Sequence, residues 1–228
     1  MRSYQGRLVY LDETGQETGR EFFSVSVADT GARMLRAQCE MDERQLVRDV
    51  FLEVREDWSP VEAFVRLTVG GQRRGSAWYR FEQHLAECAS DSVTGGRSTQ
   101  RFTTSEPILA FGTHSLQNDA WTVGRLRLWQ GPVEEMPLVT FTTSATPDGS
   151  TGPGLVLYGP GDSVIQDRGE CSLDTRLGRM DTRHIRIAVP GVDDFDVWAA
   201  GEDCVPVRLS SDGLLQRYEL VALEGDWR

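Results

Sequence analysis

Short runs of alternating apolar and polar residues cover much of the chain and predict β-strands. Three runs follow one another at residues 49–54, 63–69 and 76–85, with breaks at residues 57–60 and 70–71. Similar runs extend the pattern towards both ends of the chain: residues 6–11, 21–27, 98–104 and 205–209. Short runs rich in Val, Phe, Thr and Tyr, separated by Gly and Pro, are typical of a β-meander. The sequence therefore predicts an all-β fold, a large antiparallel β-barrel or a strongly curved meander, with few helices.

Four other segments need separate treatment. Residues 32–41 are predicted as a strand, although their Ala, Leu, Met and Arg would also suit a helix. Residues 89–97 are expected to form a turn-rich interruption, because Ser, Asp and Gly dominate them. Residues 107–121 lack a period of two, and a short helix is expected from Ser115. A further strand is expected at residues 126–129.

The chain is predicted to form a single domain, residues 1–228, with possible halves at 1–115 and 120–228 joined by a central connector. The division into halves rests on a weak similarity between residues 41–44 and 180–183, each of which precedes a strand. Chance similarity between two Arg-rich meanders explains this observation equally well. If the repeat is genuine, the halves would close against one another and cover their edge strands.

Charge and composition exclude several classes of function. The formal net charge of −11 argues against nucleic acid and anionic membrane surfaces as partners, because neither attracts an acidic chain. The sequence contains no lysine, so all 24 basic residues are Arg. Enzymes that depend on a lysine Schiff base, a pyridoxal-phosphate anchor or a Walker-type phosphate lysine are thereby excluded.

The cysteines and the start of the sequence lead to an expectation about location. Cys39, Cys88, Cys171 and Cys204 are widely spaced, and no CxxC pair occurs. Residues 1–6 enter a strand-like run directly, without the apolar region of a signal peptide. A cytoplasmic location with reduced thiols is therefore expected.

The last part of the chain carries a resemblance to a known group of proteins. Residues 196–223 combine a strand bearing Trp198, a Pro206-Val207-Arg208 segment and a final strand bearing Tyr218. This pattern resembles bacterial lipoprotein-carrier-like and lipocalin-like antiparallel β-barrel proteins. The resemblance implies a cavity for an apolar ligand within a curved antiparallel sheet.

Alternation divides the strand at residues 76–85 into two faces. Tyr79 belongs to the face expected to pack against the core. The other face carries Trp78, Arg80, Glu82 and His84, which would suit the wall of a ligand pocket with an aromatic platform and charged groups. The alternative is that this mixed charged row is the solvated outer face of the sheet.

His114 is the leading candidate for acid–base chemistry. It follows Gly112-Thr113, and Asp119 is close enough in sequence to orient its ring. Tyr79 would complete the proton-transfer groups, and Arg80 would stabilise a developing oxyanion. The alternative is a histidine that fixes the central connector by hydrogen bonds. The predicted ligand-binding residues lie around these groups: Trp78, Glu82, His84, Phe111 and Trp121.

No cofactor or metal is expected. His84 and Cys88 lie about 13 Å apart on an extended strand at about 3.3 Å per residue, too far for one zinc ion. No Gly-x-Ser-x-Gly motif occurs, and the glycine-rich segments do not precede helices. The leading function is binding of a small, largely apolar or aromatic molecule in the barrel cavity, with cofactor-independent lyase, isomerase or hydratase chemistry there. The alternative is a non-catalytic protein-interaction or carrier module, and an oligomer is compatible with both.

Overall fold

The structure is a computed structural model, and it describes most of the chain. The described residues are 1–133, 139–144, 146, 149–158, 164–188, 194–211 and 216–228. Among them no helix is long and apolar enough to cross a membrane.

Antiparallel strands dominate the described residues, and the all-β prediction is confirmed. Thirteen strands form one sheet with the order β12-β13-β14-β15-β16-β1-β2-β3-β4-β5-β6-β7-β8. The first eight strands are β1 (Arg2–Leu11), β2 (Glu17–Val27), β3 (Arg33–Met41), β4 (Leu46–Val54), β5 (Pro60–Val69), β6 (Gln72–Glu82), β7 (Leu85–Ser92) and β8 (Gly96–Thr103). The last five are β12 (Val164–Thr175), β13 (Gly178–Ala188), β14 (Phe195–Ala200), β15 (Val205–Ser211) and β16 (Gln216–Gly225).

A smaller sheet and two short helices complete the described fold. The small sheet has the order β11-β10-β9, with β9 at Ile108–Gly112, β10 at Val139–Thr142 and β11 at Val156–Tyr158. Helix α1 spans Leu116–Ala120, which confirms the short helix expected from Ser115. Helix α2 spans Thr122–Leu128, so the strand expected at residues 126–129 is wrong.

The two ends of the chain meet in the middle of the large sheet. β1 pairs antiparallel with β16, and Tyr10 lies opposite Tyr218 in this pair. Neighbouring strands along the chain form the other pairs, so β8 and β12 are the two edges of the sheet. The sheet is therefore a strongly curved meander whose described strands do not close into a barrel.

The turn expected at residues 89–97 is present but shorter, at residues 93–95. β6 ends at Glu82, and β7 continues to Ser92 before a turn leads into β8. Ser, Asp and Gly are poor strand formers by propensity, but the pairing of β7 with β6 and β8 supplies backbone hydrogen bonds that override this preference.

One face of the large sheet packs around the helices. The side chains of Leu35, Leu52 and Leu67 are fully buried on this inner face, as is the ring of Trp121 in the interior. Trp121 packs against Trp58, with ring centroids 5.7 Å apart. We call this the inner face. The opposite face, which we call the outer face, carries exposed and partly exposed side chains that alternate along each strand with the buried residues of the inner face.

Candidate functional site

Helix α1 is held by a carboxylate from a distant strand. Glu21 in β2 is completely buried, and it accepts hydrogen bonds from Ser115 Oγ at 2.7 Å, Leu116 N at 2.8 Å and Gln117 N at 3.1 Å. Cys39 Sγ also donates to this carboxylate at 3.3 Å. Burial raises the pKa of Glu21, and the hydrogen bonds to the backbone N–H groups of Leu116 and Gln117 act against this shift. The carboxylate is thus fully engaged in fixing the helix.

His114 lies immediately before this helix in a positive-φ conformation of 57°. Its carbonyl oxygen accepts a hydrogen bond from Arg48 Nη1 at 2.9 Å, and Arg48 is buried. Its ring atom Nε2 lies 3.1 Å from Thr142 Oγ1 in β10. Through these contacts His114 links the segment between β9 and α1 to β4 of the large sheet and to β10 of the small sheet.

Asp119 in α1 and Arg125 in α2 form a pair of opposite charges, of which Arg125 is buried and Asp119 is partly buried. Burial raises the pKa of Asp119 to about 7, and the nearby Glu21 carboxylate adds to the shift. Burial lowers the pKa of Arg125 to about 10, against the attraction of Asp119. Arg125 Nη2 donates to Thr122 Oγ1 at 2.6 Å. The interior therefore holds a proton-binding carboxyl that titrates near neutral pH.

The aromatic residues predicted on the inner side are packing groups. Tyr79 is buried, its Oη donates to Gly154 O at 3.0 Å, and its ring lies 4.7 Å from that of Phe111. Phe111 also contacts Phe81, at a centroid distance of 4.8 Å. The inner-face prediction for Tyr79 is confirmed.

The structure does not bring the four predicted catalytic side chains together. Arg80 is exposed on the outer face of β6, whereas Tyr79 faces inwards and His114 and Asp119 belong to the connector and α1. Trp78 and Glu82 also lie on the outer face, and His84 is in the turn between β6 and β7. The catalytic roles remain predictions. No group of three or more metal-ligating side chains occurs among the described residues.

Aromatic side chains gather instead on the outer face. Cross-strand pairing places Phe51 opposite Phe64 and Phe64 opposite Trp78, and the last two rings are 4.8 Å apart. Trp78 is 56% exposed and Phe22, on β2, is 44% exposed. We call Phe22, Phe51, Phe64 and Trp78 the outer aromatic surface.

Arginines flank the outer aromatic surface. The guanidinium carbon of Arg36 lies 6.0 Å from the ring centroid of Phe51, and that of Arg7 lies 5.7 Å from Phe22. Contacts at these distances are cation–π interactions.

A groove of about 510 Å³ runs across this surface. Its walls include Phe22, Phe51 and Phe64, and Asp49 contributes a carboxylate. Along the neighbouring row Glu53 lies directly opposite Glu62. Arg36 also lines the groove, Arg66 lies directly opposite Asp49, and Arg80 lies directly opposite Glu62. The groove therefore combines aromatic walls with charged side chains of both signs.

The alternation of inward and outward residues along the strands places two of these aromatic residues on the outer face. Phe51 falls between the buried Val50 and Leu52, at a position where alternation requires an outward side chain. Phe22 likewise falls between the inward residues Glu21 and Phe23. Aromatic residues at outward positions of adjacent strands predict a shared surface only when the strand register is known.

Comparisons with known proteins identify the fold. No protein-family model matches the sequence. No curated protein matches it either. A β-barrel-like protein of domain of unknown function DUF1849 from Brucella abortus is 11% identical, with a TM-score of 0.55 over 99% of this chain and 98% of that one. The resemblance to bacterial β-barrel-like proteins is thus confirmed at the level of the fold.

Two further solved structures are more distant. In the MucA/MucB complex from Pseudomonas aeruginosa, a chain 12% identical has a TM-score of 0.32 over 99% of this chain and 52% of that one. A protein from Parabacteroides distasonis assigned as a lipoprotein is 7% identical, with a TM-score of 0.34 over 98% of this chain and 96% of that one.

The prediction of a cytoplasmic location is wrong. Solved structures similar to this chain include the protein assigned as a lipoprotein and a protein from Bacteroides fragilis assigned as exported. The prediction rested on the residues that follow Met1, and the start of the sequence supports no conclusion about location.

Proposed function

We propose that this protein is a non-catalytic binding module that docks another protein on its outer aromatic surface. The observation that carries the proposal is the exposure of Trp78 beside Phe64 and Phe51, with the exposed Phe22 across the same groove. Contiguous exposed apolar side chains are uncommon on soluble proteins and mark interaction sites. Trp and Arg are also the residues that contribute most to binding energy at protein interfaces.

The partner is expected to present an apolar segment flanked by charged side chains of both signs. Asp49 lies in the groove between the aromatic rings, and Glu53 and Glu62 face one another at its margin. Arg36 lines the same groove and Arg80 lies directly opposite Glu62, so acidic and basic side chains of a partner can each meet an opposite charge here. The net charge of −11 disfavours an anionic membrane as the partner.

The interior gives less support to ligand chemistry. Glu21, Tyr79 and the carbonyl of His114 are each bonded to other parts of the chain. A polar group that already has protein partners gains less from binding a substrate.

Site-specific photo-crosslinking in the native host tests the proposal. A photoreactive phenylalanine analogue replaces Trp78 in one variant and Leu177 in a second. Leu177 is a suitable control because it is also apolar and is 43% exposed, on the turn between β12 and β13. Illumination is followed by mass spectrometry of the crosslinked products.

The expected result is one protein product from position 78 that excess unlabelled protein competes away. The same product should be absent from position 177. The proposal is overturned if position 78 gives no protein product, or if both positions give the same products. A crosslink only to lipid would also overturn it and would favour a carrier instead.

A further inference from the structure

The groove on the outer face lies between two neighbouring rows of outward side chains. On each of β2, β3 and β4 it is lined by two outward residues that are two positions apart, and by the buried residue between them. The first wall is Phe22, Gln38 and Asp49, and the second is Gln5, Ser24, Arg36, Phe51 and Phe64. Within each wall, every residue lies directly opposite the next one on the neighbouring strand. The groove therefore runs across the strands, from β1 to β5.

The spacing of the two walls decides which kind of segment can lie between them. Residues two apart on one strand have Cα atoms about 6.7 Å apart. An α-helix with its side chains is about 10–12 Å across, so it can lie on top of the walls but not between them. An extended chain needs about 4.8 Å, the spacing of neighbouring strands in a sheet, and can lie along the floor formed by Phe23, Ala37 and Val50.

Neutral polar side chains in the groove also favour an extended segment. Gln5, Ser24 and Gln38 can each donate and accept hydrogen bonds. A helix satisfies its backbone groups internally, whereas an extended chain brings N–H and C=O groups that need partners once they are buried. Gln38 Nε2 donates to Asp49 Oδ1 at 3.4 Å, and this contact uses only one of the two N–H groups of the amide.

The charges of the groove match two successive residues of such a segment. Arg36 is exposed in the second wall, and Asp49 is partly exposed in the first wall, on the neighbouring strand. Successive side chains of an extended chain point to opposite sides. An acidic residue next to a basic one can therefore meet Arg36 on one wall and Asp49 on the other.

We infer that the docked partner is held as one extended segment that crosses β1 to β5 in this groove. Its apolar side chains pack against the aromatic rings of the walls, and the neutral polar groups of the groove bind its backbone. An acidic and a basic residue, adjacent in its sequence, contact Arg36 and Asp49. The inference rests on the proposed function and adds the conformation and the chemistry of the partner segment.

Mapping of photo-crosslinks measures the conformation of the bound segment. The photoreactive phenylalanine analogue replaces Phe22 in one variant and Phe64 in another, and the position 78 variant described above is the reference. Phe22 and Phe64 are three strand spacings apart along the groove, which is about 14 Å at about 4.8 Å per strand. An extended segment covers this distance with about four or five residues, and a helix with about nine or ten. Tandem mass spectrometry of the digested products locates the attachment points.

The two attachment points are expected in one segment of the partner, about four or five residues apart. A separation of about nine or ten residues, or attachment to two separate segments, would overturn the inference. A product from position 78 without products from both positions 22 and 64 would also overturn it and would leave the proposed function intact. If none of the three positions gives a protein product, the proposed function fails together with the inference.

A substitution in the groove separates hydrogen bonding from packing. Gln38→Leu keeps the approximate size of the side chain and removes its amide, so the Kd for the partner isolated through position 78 should rise by about ten-fold. An apolar helix lying on the walls would bind Gln38→Leu at least as tightly as the wild type, and that result would contradict an extended segment. Gln83→Leu is the matched control and should leave the Kd unchanged, because Gln83 is exposed in the turn between β6 and β7.

Discussion

Glu21 accepts the backbone N–H of Leu116 at 2.8 Å, across 95 residues of sequence. A strand of the large sheet thereby provides the cap of helix α1, and Ser115 makes no side-chain cap hydrogen bond to the helix itself. A five-residue helix is too short to be stable alone, so its position depends on this contact and on burial.

Truncation of Glu21 should be strongly destabilising. Glu21→Ala leaves the buried donors of Ser115, Leu116 and Gln117 without their acceptor, and it should lower the free energy of unfolding by about 3–5 kcal/mol. Glu21→Gln keeps one acceptor oxygen and should cost only about 1–2 kcal/mol. Urea unfolding measures both values. Equal losses for the two variants would show that the cap is not the source of the effect.

The buried carboxyl of Asp119 should make stability depend on pH. Its pKa rises from 3.8 to about 7 on folding, so the folded state binds the proton more tightly than the unfolded state. Stability should therefore fall as the pH rises from about 4 to about 7. Asp119→Asn removes this titration and should exceed the wild type by about 4 kcal/mol at pH 8, but not at pH 4. A difference that stays constant over this range would contradict the assignment.

The close contact between α2 and Trp58 leaves no room for a methyl group at residue 124. A Cβ at Gly124 would lie 2.2 Å from Cε2 of Trp58, whose ring is buried against Trp121. Gly124→Ala should therefore cost about 2–3 kcal/mol despite the better helix propensity of Ala. Gly154→Ala is the control, because its nearest contact would be Gln100 Oε1 at 3.4 Å. Thermal unfolding that ranks Gly154→Ala below Gly124→Ala would contradict the packing described.

Much of the large sheet could be predicted from the sequence. The alternation at residues 49–54, 63–69 and 76–85 reflects burial of one face, which is why it marks β4, β5 and β6 correctly. The pattern fails where burial is not one-sided. In helix α2 residues 122–126 are buried and residues 127–128 are exposed, so its apolar residues carry no clear helical period. The order Leu126-Arg127-Leu128-Trp129 alternates as in a strand, which explains the wrong prediction there.

The outer aromatic surface could be predicted from the sequence only in part. Alternation separates the row with Trp78 from the inner face, but it leaves open whether that row is a pocket wall or the solvated outer face. The neighbouring Phe51 and Phe64 come from β4 and β5, and their approach depends on cross-strand register. Long-range contacts, such as those from Glu21 to α1, cannot be predicted from the sequence either, because nothing in residues 17–27 indicates which segment they will contact.

The affinity of the partner identified by crosslinking tests the central claim most directly. Isothermal titration calorimetry with that purified partner compares the wild type, Trp78→Ser and Leu177→Ser. Loss of an aromatic anchor at the centre of an interface should raise the Kd for Trp78→Ser by about thirty-fold. Leu177→Ser should bind as the wild type does. An unchanged Kd for Trp78→Ser in a correctly folded variant would contradict a docking role for the outer aromatic surface.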